Sequence, residues 1–318
     1  MTKFILKIIL FVLPVFICLE IGAMVFRQEK DPLNYMGALA DKHQFLQQLS
    51  SPKIIVIGDS SLAFGLSARV VSEAVGRPVA NMGLHAGLGL DFILGEVRGE
   101  VAKNDIVVIS THYYPDEKDV VDGVRCHALD FYPAISQDVS GNILDNIKNR
   151  FACDIKRIRR NVMIYFSVIS PTKSSVNSKN FYYARDAFNS FGDVRDELYA
   201  QADPSLNIRG TELVVADQQE TIRQLNDFVR FTASKQAEAV FVYPPMPKSF
   251  YEKNSEKIIA FEKLLREKTA LTILGTPGEM VYDDFLFYNT VYHLNSQGKR
   301  ANSAKVANLL KEFISKQQ

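Results

Sequence analysis

The sequence predicts an α/β protein: one three-layer α/β/α domain around a parallel sheet, preceded by a single N-terminal transmembrane helix. Three observations lead to this prediction. Short β-branched runs alternate with longer stretches of helical spacing, small polar residues follow the first strong strand, and the N-terminal segment is strongly apolar. Strands that alternate with helices are typical of a parallel sheet covered by helices on both faces.

The predicted strands are short and apolar. Residues 53–57 and 105–110 are continuous apolar runs rich in β-branched side chains, as expected of strands buried on both faces. Residues 78–81 form a weaker strand between them. Residues 237–243 and 270–274 are the last two predicted strands and complete the sheet.

Helices are predicted between these strands, and their composition and spacing place them at residues 33–49, 91–101, 216–236, 252–268 and 296–316. Pro52 ends the first of them, because proline resists helix continuation. Residues 114–215 do not follow the alternation and are rich in Asn, Ser, Asp and Tyr. We interpret them as an insertion or lid over the domain.

The N-terminal segment is long enough to cross a membrane. As an α-helix, the largely apolar residues 4–26 would rise roughly 34 Å, against a hydrocarbon core of about 30 Å. A cleaved signal peptide, a lipoprotein site at Cys18 and a buried core helix fit this segment less well. We therefore expect an anchor at 1–26, a linker at 27–50 and the domain at 51–318. Basic residues flank both ends of the anchor, so they orient it only weakly.

Charge and cysteine content narrow the class of protein further. Lys and Arg total 37 against 36 Asp and Glu, a net charge of +1 that provides no basic face for nucleic acid. Cys126 and Cys153 follow the anchor and form either one disulfide in an oxidising compartment or two buried thiols. Spacing alone does not decide between these alternatives. No Cys/His cluster has metal-site spacing, so neither a metal nor an organic cofactor is expected.

A candidate nucleophile follows the first strong strand, in the string Gly58-Asp59-Ser60. Ligands of parallel α/β sheets bind at the carboxyl ends of strands, where a serine hydroxyl would face a crevice. Its amide would lie at the start of the next helix, a position that favours developing negative charge. The alternative is that Asp59, Ser60 or Ser61 merely caps that helix. Three residues are too few to decide, and a base is needed elsewhere.

The candidate base is His293, in a predicted loop between the last strand and the closing helix. A serine hydroxyl titrates far above neutral pH and needs a nearby imidazole to accept its proton. The loop position allows His293 to approach the carboxyl ends of the strands. Two other histidines, His85 and His112, lie on predicted strand-end loops and could line the same pocket, where a structural or binding role is the expectation.

These strings together resemble the SGNH/GDSL hydrolase superfamily. Gly58-Asp59-Ser60 follows the first strand, residues 81–87 (Asn-Met-Gly-Leu-His-Ala-Gly) follow the second, and Tyr292-His293-Leu294-Asn295 precedes the last helix. The order and spacing match over residues 53–316. The resemblance is closest to membrane-anchored bacterial members that accompany cell-envelope polysaccharide and O-acetylation systems.

The resemblance implies a three-layer α/β/α fold of flavodoxin-like type, together with a site and its partners. It implies Ser60 as nucleophile, His293 as general base, and an oxyanion hole from the Ser60 amide with a glycine amide at Gly83 or Gly87. It also implies an envelope glycan or other acyl ester as substrate, envelope-biosynthesis membrane proteins as candidate partners, and a domain on the periplasmic side of the cytoplasmic membrane.

The sequence departs from the family pattern at two places. The third block supplies an Asn in the family, but residues 110–115 (Ser-Thr-His-Tyr-Tyr-Pro) contain none, so a Tyr or His side chain would have to replace that oxyanion donor. The last block carries Asp before the histidine, whereas Asn289 stands near that position here. Asn289 can orient the imidazole but cannot neutralise its charge, and Asp283 or Asp284 are alternatives from the same loop.

Two functions from different classes follow. The first is a serine esterase or O-acyltransferase that acts on acyl esters, acetyl esters foremost, of an envelope glycan. The second is a catalytically weak or inactive member that binds or assembles components of a polysaccharide system. Ser60 with His293 favours the enzyme, and the two departures favour the second hypothesis. A phosphodiesterase is poorly supported, because no carboxylate and histidine cluster suggests a metal site.

Overall fold

The computed structural model describes the folded domain and part of the predicted insertion: residues 34–116, 119–132, 151–156, 183–199 and 210–317, with isolated positions at 7, 10, 11, 13, 14, 17, 159 and 208. Most of the predicted anchor and of the insertion lies outside the described residues. Within the part that is described, no helix is both long enough and apolar enough to cross a membrane.

A five-stranded parallel sheet forms the centre of the domain. The described part of the chain has these strands, two of which lie outside the main sheet: β1 (Ile54–Gly58), β2 (Val79–Asn81), β3 (Ile106–Ser110), β4 (Glu238–Val242), β5 (Met246–Pro247), β6 (Thr272–Leu274) and β7 (Val281–Tyr282). The main sheet has the order β2-β1-β3-β4-β6, while β5 and β7 pair separately. Every pairing in both sheets is parallel. The predicted α/β fold with a parallel sheet is therefore confirmed, and the order is that of a flavodoxin-like domain.

The helices of the described part cover both faces of this sheet. They are α1 (Ala38–Gln48), α2 (Ser60–Gly65), α3 (Ala68–Val75), α4 (Leu90–Gly95), α5 (Asp122–Phe131), α6 (Gln219–Ser234), α7 (Lys248–Lys268) and α8 (Ser296–Ser315). The chain steps outward from β1 to β2 and reverses to β3, so right-handed crossovers place α3 and α4 on opposite faces. In agreement, α8 packs on α3 and α6 packs on α4.

The central strands are buried along their whole length, which explains why their sequences do not alternate. All five residues of β1 and all five of β3 are buried. Covered by helices on both sides, such strands favour apolar, β-branched residues at every position. The helix predicted at 91–101 is shorter than expected, because α4 ends at Gly95 and residues 96–100 form turns. Glycine, here at 95 and 99, is a poor helix former.

The predicted linker is part of the domain from residue 34 onward. Leu39 and Leu46 on α1 are fully buried. Between them, the Lys42 ammonium donates to the carbonyl oxygens of Asn81, at 2.9 Å, and of Gly192. Burial lowers the pKa of Lys42 to about 7. The sequence pattern placed the domain boundary too late, because a lysine that bonds backbone carbonyls looks like a surface residue.

The two cysteines after the predicted anchor form a disulfide. Cys126 of α5 is bonded to Cys153, with their Cα atoms 5.1 Å apart. Of the two alternatives that the sequence left open, the structure has the bonded one. The bond joins two parts of the predicted insertion, and α5 itself packs against the turn that precedes α1.

Removing this disulfide is expected to lower thermal stability. Without the disulfide, a loop of about 28 residues is no longer closed in the unfolded chain. In the loop-entropy description this lowers the free energy of unfolding by roughly 3 kcal/mol. For a domain of this size, that shifts the midpoint of unfolding by about 5–10 °C. The variant Cys126→Ser with Cys153→Ser, followed by circular dichroism, measures the shift. A wild-type midpoint that does not move when a reductant is added would contradict this expectation.

Candidate active site

The candidate nucleophile lies where β1 passes into α2. Asp59 is the cap of α2: its backbone is extended and its carboxylate accepts the Ser61 amide at 2.8 Å. Ser60 is the first helical residue and is half-buried. Since Asp59 caps the helix, the Ser60 hydroxyl is available for another partner. It lies at the carboxyl edge of the sheet, beside the point where the strand order reverses.

The loop that carries His293 is held by its own backbone. The Tyr288 amide donates to the His293 carbonyl at 2.8 Å, and Phe287 pairs with Leu294 as an antiparallel bridge. Asn295 then caps α8 by accepting the amides of residues 297 and 298. This short hairpin ends at the helix cap and presents the His293 side chain toward α2.

The structure brings three of the predicted site residues together. The Ser60 hydroxyl lies 2.8 Å from His293 Nε2, and His293 Nδ1 lies 2.8 Å from Asn289 Oδ1. The Asn289 amide group donates to the Tyr183 hydroxyl at 3.4 Å, which leaves Oδ1 facing the imidazole. An amide oxygen accepts only, so Nδ1 carries the proton and Nε2 has the lone pair that accepts from Ser60.

The His293 imidazole is held uncharged. The residue is 5% exposed, and its ring stacks on that of Phe64, with the two ring centroids 4.3 Å apart. Burial lowers the pKa of His293 to about 4, while the nearby Asp59 carboxylate raises it and His85 lowers it further. A neutral imidazole in contact with a serine hydroxyl is the state that a general base requires.

Both candidate oxyanion glycines already have acceptors for their amides. The Gly83 amide donates to Asn81 Oδ1 at 2.9 Å, and the Gly87 amide donates to His85 Nδ1 at 2.9 Å. Either amide would have to leave this internal partner before it could bind an oxyanion. The Ser60 amide belongs to the first turn of α2, whose N–H groups have no acceptor within the helix.

His112 occupies the place of the missing Asn block, directly after β3. Its Nδ1 lies 2.8 Å from Asp59 Oδ2, and its Nε2 lies 3.0 Å from Asp119 Oδ2. Both ring nitrogens therefore face carboxylates. Burial works against a charge on His112, yet the hydrogen bonds to Asp119 and Asp59 raise its pKa to about 10. In this arrangement the ring has no N–H left for an oxyanion, so it does not replace the family's Asn donor.

The alternative orienting residues do not hold His293. Both of its ring nitrogens are engaged, by Ser60 and by Asn289. Asp284 instead accepts the Ser249 amide at 3.0 Å, at the start of α7. Asp283 is exposed. The orienting position in this structure is therefore residue 289.

Sequence reasoning missed the contribution of the insertion to the site. The Tyr199 hydroxyl donates to the Phe64 carbonyl at 3.2 Å, and the Val194 amide donates to the Ala63 carbonyl at 2.9 Å. Tyr183 completes this cover, with its ring 6.5 Å from that of His293. These residues have no periodic spacing, so the sequence did not indicate which of them pack against the domain.

Fold and site together define an α/β protein with a Ser-His-Asn array at the carboxyl edge of a parallel sheet. In the described part of the chain, no group of three or more His, Cys, Asp or Glu side chains could hold a metal ion.

Comparison with known proteins adds little to this definition. No protein-family model and no curated protein matches the sequence. Among solved structures, the chain is similar to a Desulfitobacterium hafniense DCB-2 protein assigned as a lipolytic protein of the G-D-S-L family. The identity is 10%, the TM-score is 0.37, and the match covers 81% of this chain and 98% of the other. At that score the likeness carries no weight, and the description of the site depends on its geometry.

Proposed function

We propose that the protein is an SGNH-type serine esterase or O-acyltransferase that acts on acyl esters, acetyl esters foremost, of a cell-envelope polysaccharide. The observation that carries this proposal is the chain of short contacts from Ser60 through His293 to Asn289. A hydroxyl, an acceptor nitrogen and an orienting amide at hydrogen-bond distance are the arrangement of an activated nucleophile.

The reaction has two stages, acylation and deacylation of Ser60, and each stage includes two proton transfers. Ser60 Oγ attacks the ester carbonyl carbon while its proton moves to His293 Nε2. The tetrahedral intermediate collapses, the C–O bond to the alcohol breaks, and Nε2 returns the proton to the leaving alcohol oxygen. Water, or a sugar hydroxyl in transfer, then attacks the acyl-serine and gives its proton to Nε2, which passes it back to Ser60 as the acid or the new ester leaves.

The oxyanion of both intermediates needs N–H donors. The Ser60 amide is the first, and a glycine amide at Gly83 or Gly87 is the second once substrate displaces its internal acceptor. Backbone donors aimed at the developing charge typically lower the barrier by several kcal/mol.

The proposed location is the outer side of the cytoplasmic membrane, with residues 1–26 as anchor and envelope-biosynthesis membrane proteins as neighbours. The disulfide between Cys126 and Cys153 supports this location, because such bonds persist in oxidising compartments. An envelope glycan would be the substrate available there.

A second function is favoured by two particular observations. Asn289 cannot balance the charge of an imidazolium, and the amides of Gly83 and Gly87 already donate within their loop. A protein with these features would serve as a binding or assembly component of the same polysaccharide system.

A labelling experiment separates the two functions. The full chain in detergent is treated with a serine-reactive fluorophosphonate and, separately, with a chromogenic acetyl ester and an O-acetylated glycan. The enzyme is expected to label at one site, which mass spectrometry places on Ser60, and to release acetate. Protein that neither labels nor turns over any acyl ester, and that nevertheless retains the glycan, would establish the binding function instead.

The pH dependence of turnover is expected to reflect the low pKa of His293. The imidazole must be unprotonated to accept the serine proton, so the rate rises as pH increases through about 4 and is level above about pH 5. An ordinary histidine would give a midpoint near 6.5. The profile of kcat/KM from pH 3.5 to 8 measures the midpoint, with circular dichroism at each pH to verify folding. A midpoint of 6 or higher would contradict the buried, neutral imidazole.

A further inference from the structure

The proposed Ser60–His293–Asn289 site lacks a negative charge where serine hydrolases of this kind carry one. In such enzymes a buried carboxylate contacts the imidazole and stabilises the imidazolium formed during reaction. Here Asn289 Oδ1 takes that place at 2.8 Å and is uncharged. A carboxylate elsewhere around His293 would therefore carry more of the stabilisation than usual.

We propose that Asp59 supplies this charge: it is a positioning residue that acts through His293 and is kept ionised by His112, which Asp119 in turn holds as an imidazolium. This inference rests on the proposed function, since it concerns the same reaction. It assigns a role to the Asp59–His112–Asp119 arrangement, which neither the nucleophile nor the base explains.

The first support is the set of donors around Asp59. The carboxylate is 3% exposed, and it accepts the Ser61 amide, the His112 amide and His112 Nδ1, each at 2.8 Å. A carboxylate that accepts several N–H groups stays ionised even when buried. Burial alone would raise the pKa of Asp59, but the hydrogen bonds from His112 and Ser61 hold it well below its usual range.

The second support is the charge balance of the arrangement. His112 donates from both ring nitrogens, to Asp59 and to Asp119, and a ring that donates from both nitrogens is an imidazolium. Asp119 is held in turn by the Asp116 amide at 2.8 Å. Two carboxylates and one imidazolium carry a net charge of −1, with Asp59 immediately before the nucleophile in the chain.

The third support is the direction of the electrostatic effects at His293. Asp59 is covalently joined to Ser60, whose hydroxyl lies 2.8 Å from His293 Nε2. The titratable groups around the imidazole are Asp59 and His85, which act on its charge, and Tyr183, whose ring centroid is 6.5 Å away, with Tyr292 next in the chain. Burial lowers the pKa of His293, His85 lowers it further, and Asp59 acts in the opposite direction. Because these groups are buried, solvent screens the Asp59 charge weakly, and its effect grows as positive charge forms on the imidazole.

A double-mutant cycle between residues 59 and 289 tests the inference. Asp59→Asn keeps a side-chain oxygen to cap α2 but removes the charge. In the wild-type background it is expected to lower kcat/KM at pH 7 by roughly 100-fold. In the Asn289→Asp background, where a second carboxylate contacts the imidazole, the same change is expected to cost less than about 5-fold. A capping role alone predicts equal losses in both backgrounds, and that result would overturn the inference.

A second measurement does not depend on turnover. Nuclear magnetic resonance of labelled histidine follows the pKa of His293 in the Asn289→Asp protein with and without Asp59→Asn. The pKa is expected to fall by about one unit when the Asp59 charge is removed, and no change would overturn the inference. Asp283→Asn is the matched control: its carboxylate is exposed in the same loop, and both readouts are expected to stay at their starting values.

These readouts separate failure of the inference from failure of the proposed function. A protein without any hydrolysis, whose His293 pKa still falls with Asp59→Asn, would support the charge coupling and exclude the esterase. If Asp59→Asn does not fold, Asn289→Asp alone remains decisive. A rise in kcat below about 100-fold supports a charge already present, whereas any larger rise, toward the roughly 10⁴-fold effect of the corresponding change in a serine protease, would overturn it.

Discussion

Replacement of Ser60 by alanine is expected to lower kcat for acetyl-ester hydrolysis by at least about 10⁴-fold, because it removes the atom that forms the acyl intermediate. His293→Ala is expected to have a similar effect, since Nε2 at 2.8 Å is the acceptor for the serine proton. The two losses are not additive, because nucleophile and base act as one unit. The double variant is therefore expected to be no slower than either single variant.

Initial rates with a chromogenic ester and labelling by a fluorophosphonate measure these effects. Ser61→Ala is the matched control, because the Ser61 hydroxyl is fully buried and has no hydrogen-bond partner among the described residues. It is expected to keep activity within about 3-fold of wild type. Undiminished hydrolysis by Ser60→Ala would show that the reaction takes place elsewhere in the protein.

Gly58→Ala is expected to destabilise the domain by more than about 3 kcal/mol, and the chain is expected to be recovered largely as aggregate. Gly58 is paired with Ser110 across β1 and β3, and a Cβ at Gly58 would lie 1.8 Å from the Ser110 carbonyl oxygen. Because both atoms belong to central buried strands, the clash is relieved only by separating the strands, which breaks the packing on both faces.

Chemical denaturation followed by circular dichroism measures this change in the free energy of unfolding. Gly123→Ala is the control, because a Cβ there meets no atom within 4 Å, and a helical alanine in α5 is expected to be neutral or slightly stabilising. A Gly58→Ala protein with wild-type stability would mean that β1 and β3 do not approach each other as described.

The sheet could be predicted from the sequence because its strands are buried on both faces. Short continuous runs of β-branched residues, such as 54–57 and 106–109, are typical of strands that are covered on both faces. Both runs are strands in the structure. The boundary of the domain could not be predicted in the same way. Lys42 and His43 interrupt the apolar face of α1, and only the structure shows that carbonyl and carboxylate groups within the domain bind them.

The residues of the site could be named from the sequence, but their states could not. Ser60 and His293 are 233 positions apart, and the parallel topology brings them together because Ser60 begins one helix and His293 precedes another at the same edge of the sheet. Which atoms donate and which accept depends on how each side chain is turned toward its partner, near or distant in the chain. Asn81 accepts the Gly83 amide, and Asp59 and Asp119 contact both nitrogens of His112, but the sequence does not show these side-chain orientations. The catalytic roles themselves remain predictions.

The packing of α1 onto the domain also limits how far the proposed site could lie from the proposed anchor. The first described residue of the folded part is Asn34, so only seven residues separate it from the end of the predicted anchor at 26. Even at full stretch, that stretch of chain spans roughly 28 Å. With the proposed anchor at 1–26, Ser60 would stay close to the membrane surface, and a polymeric substrate would have to be brought to that surface.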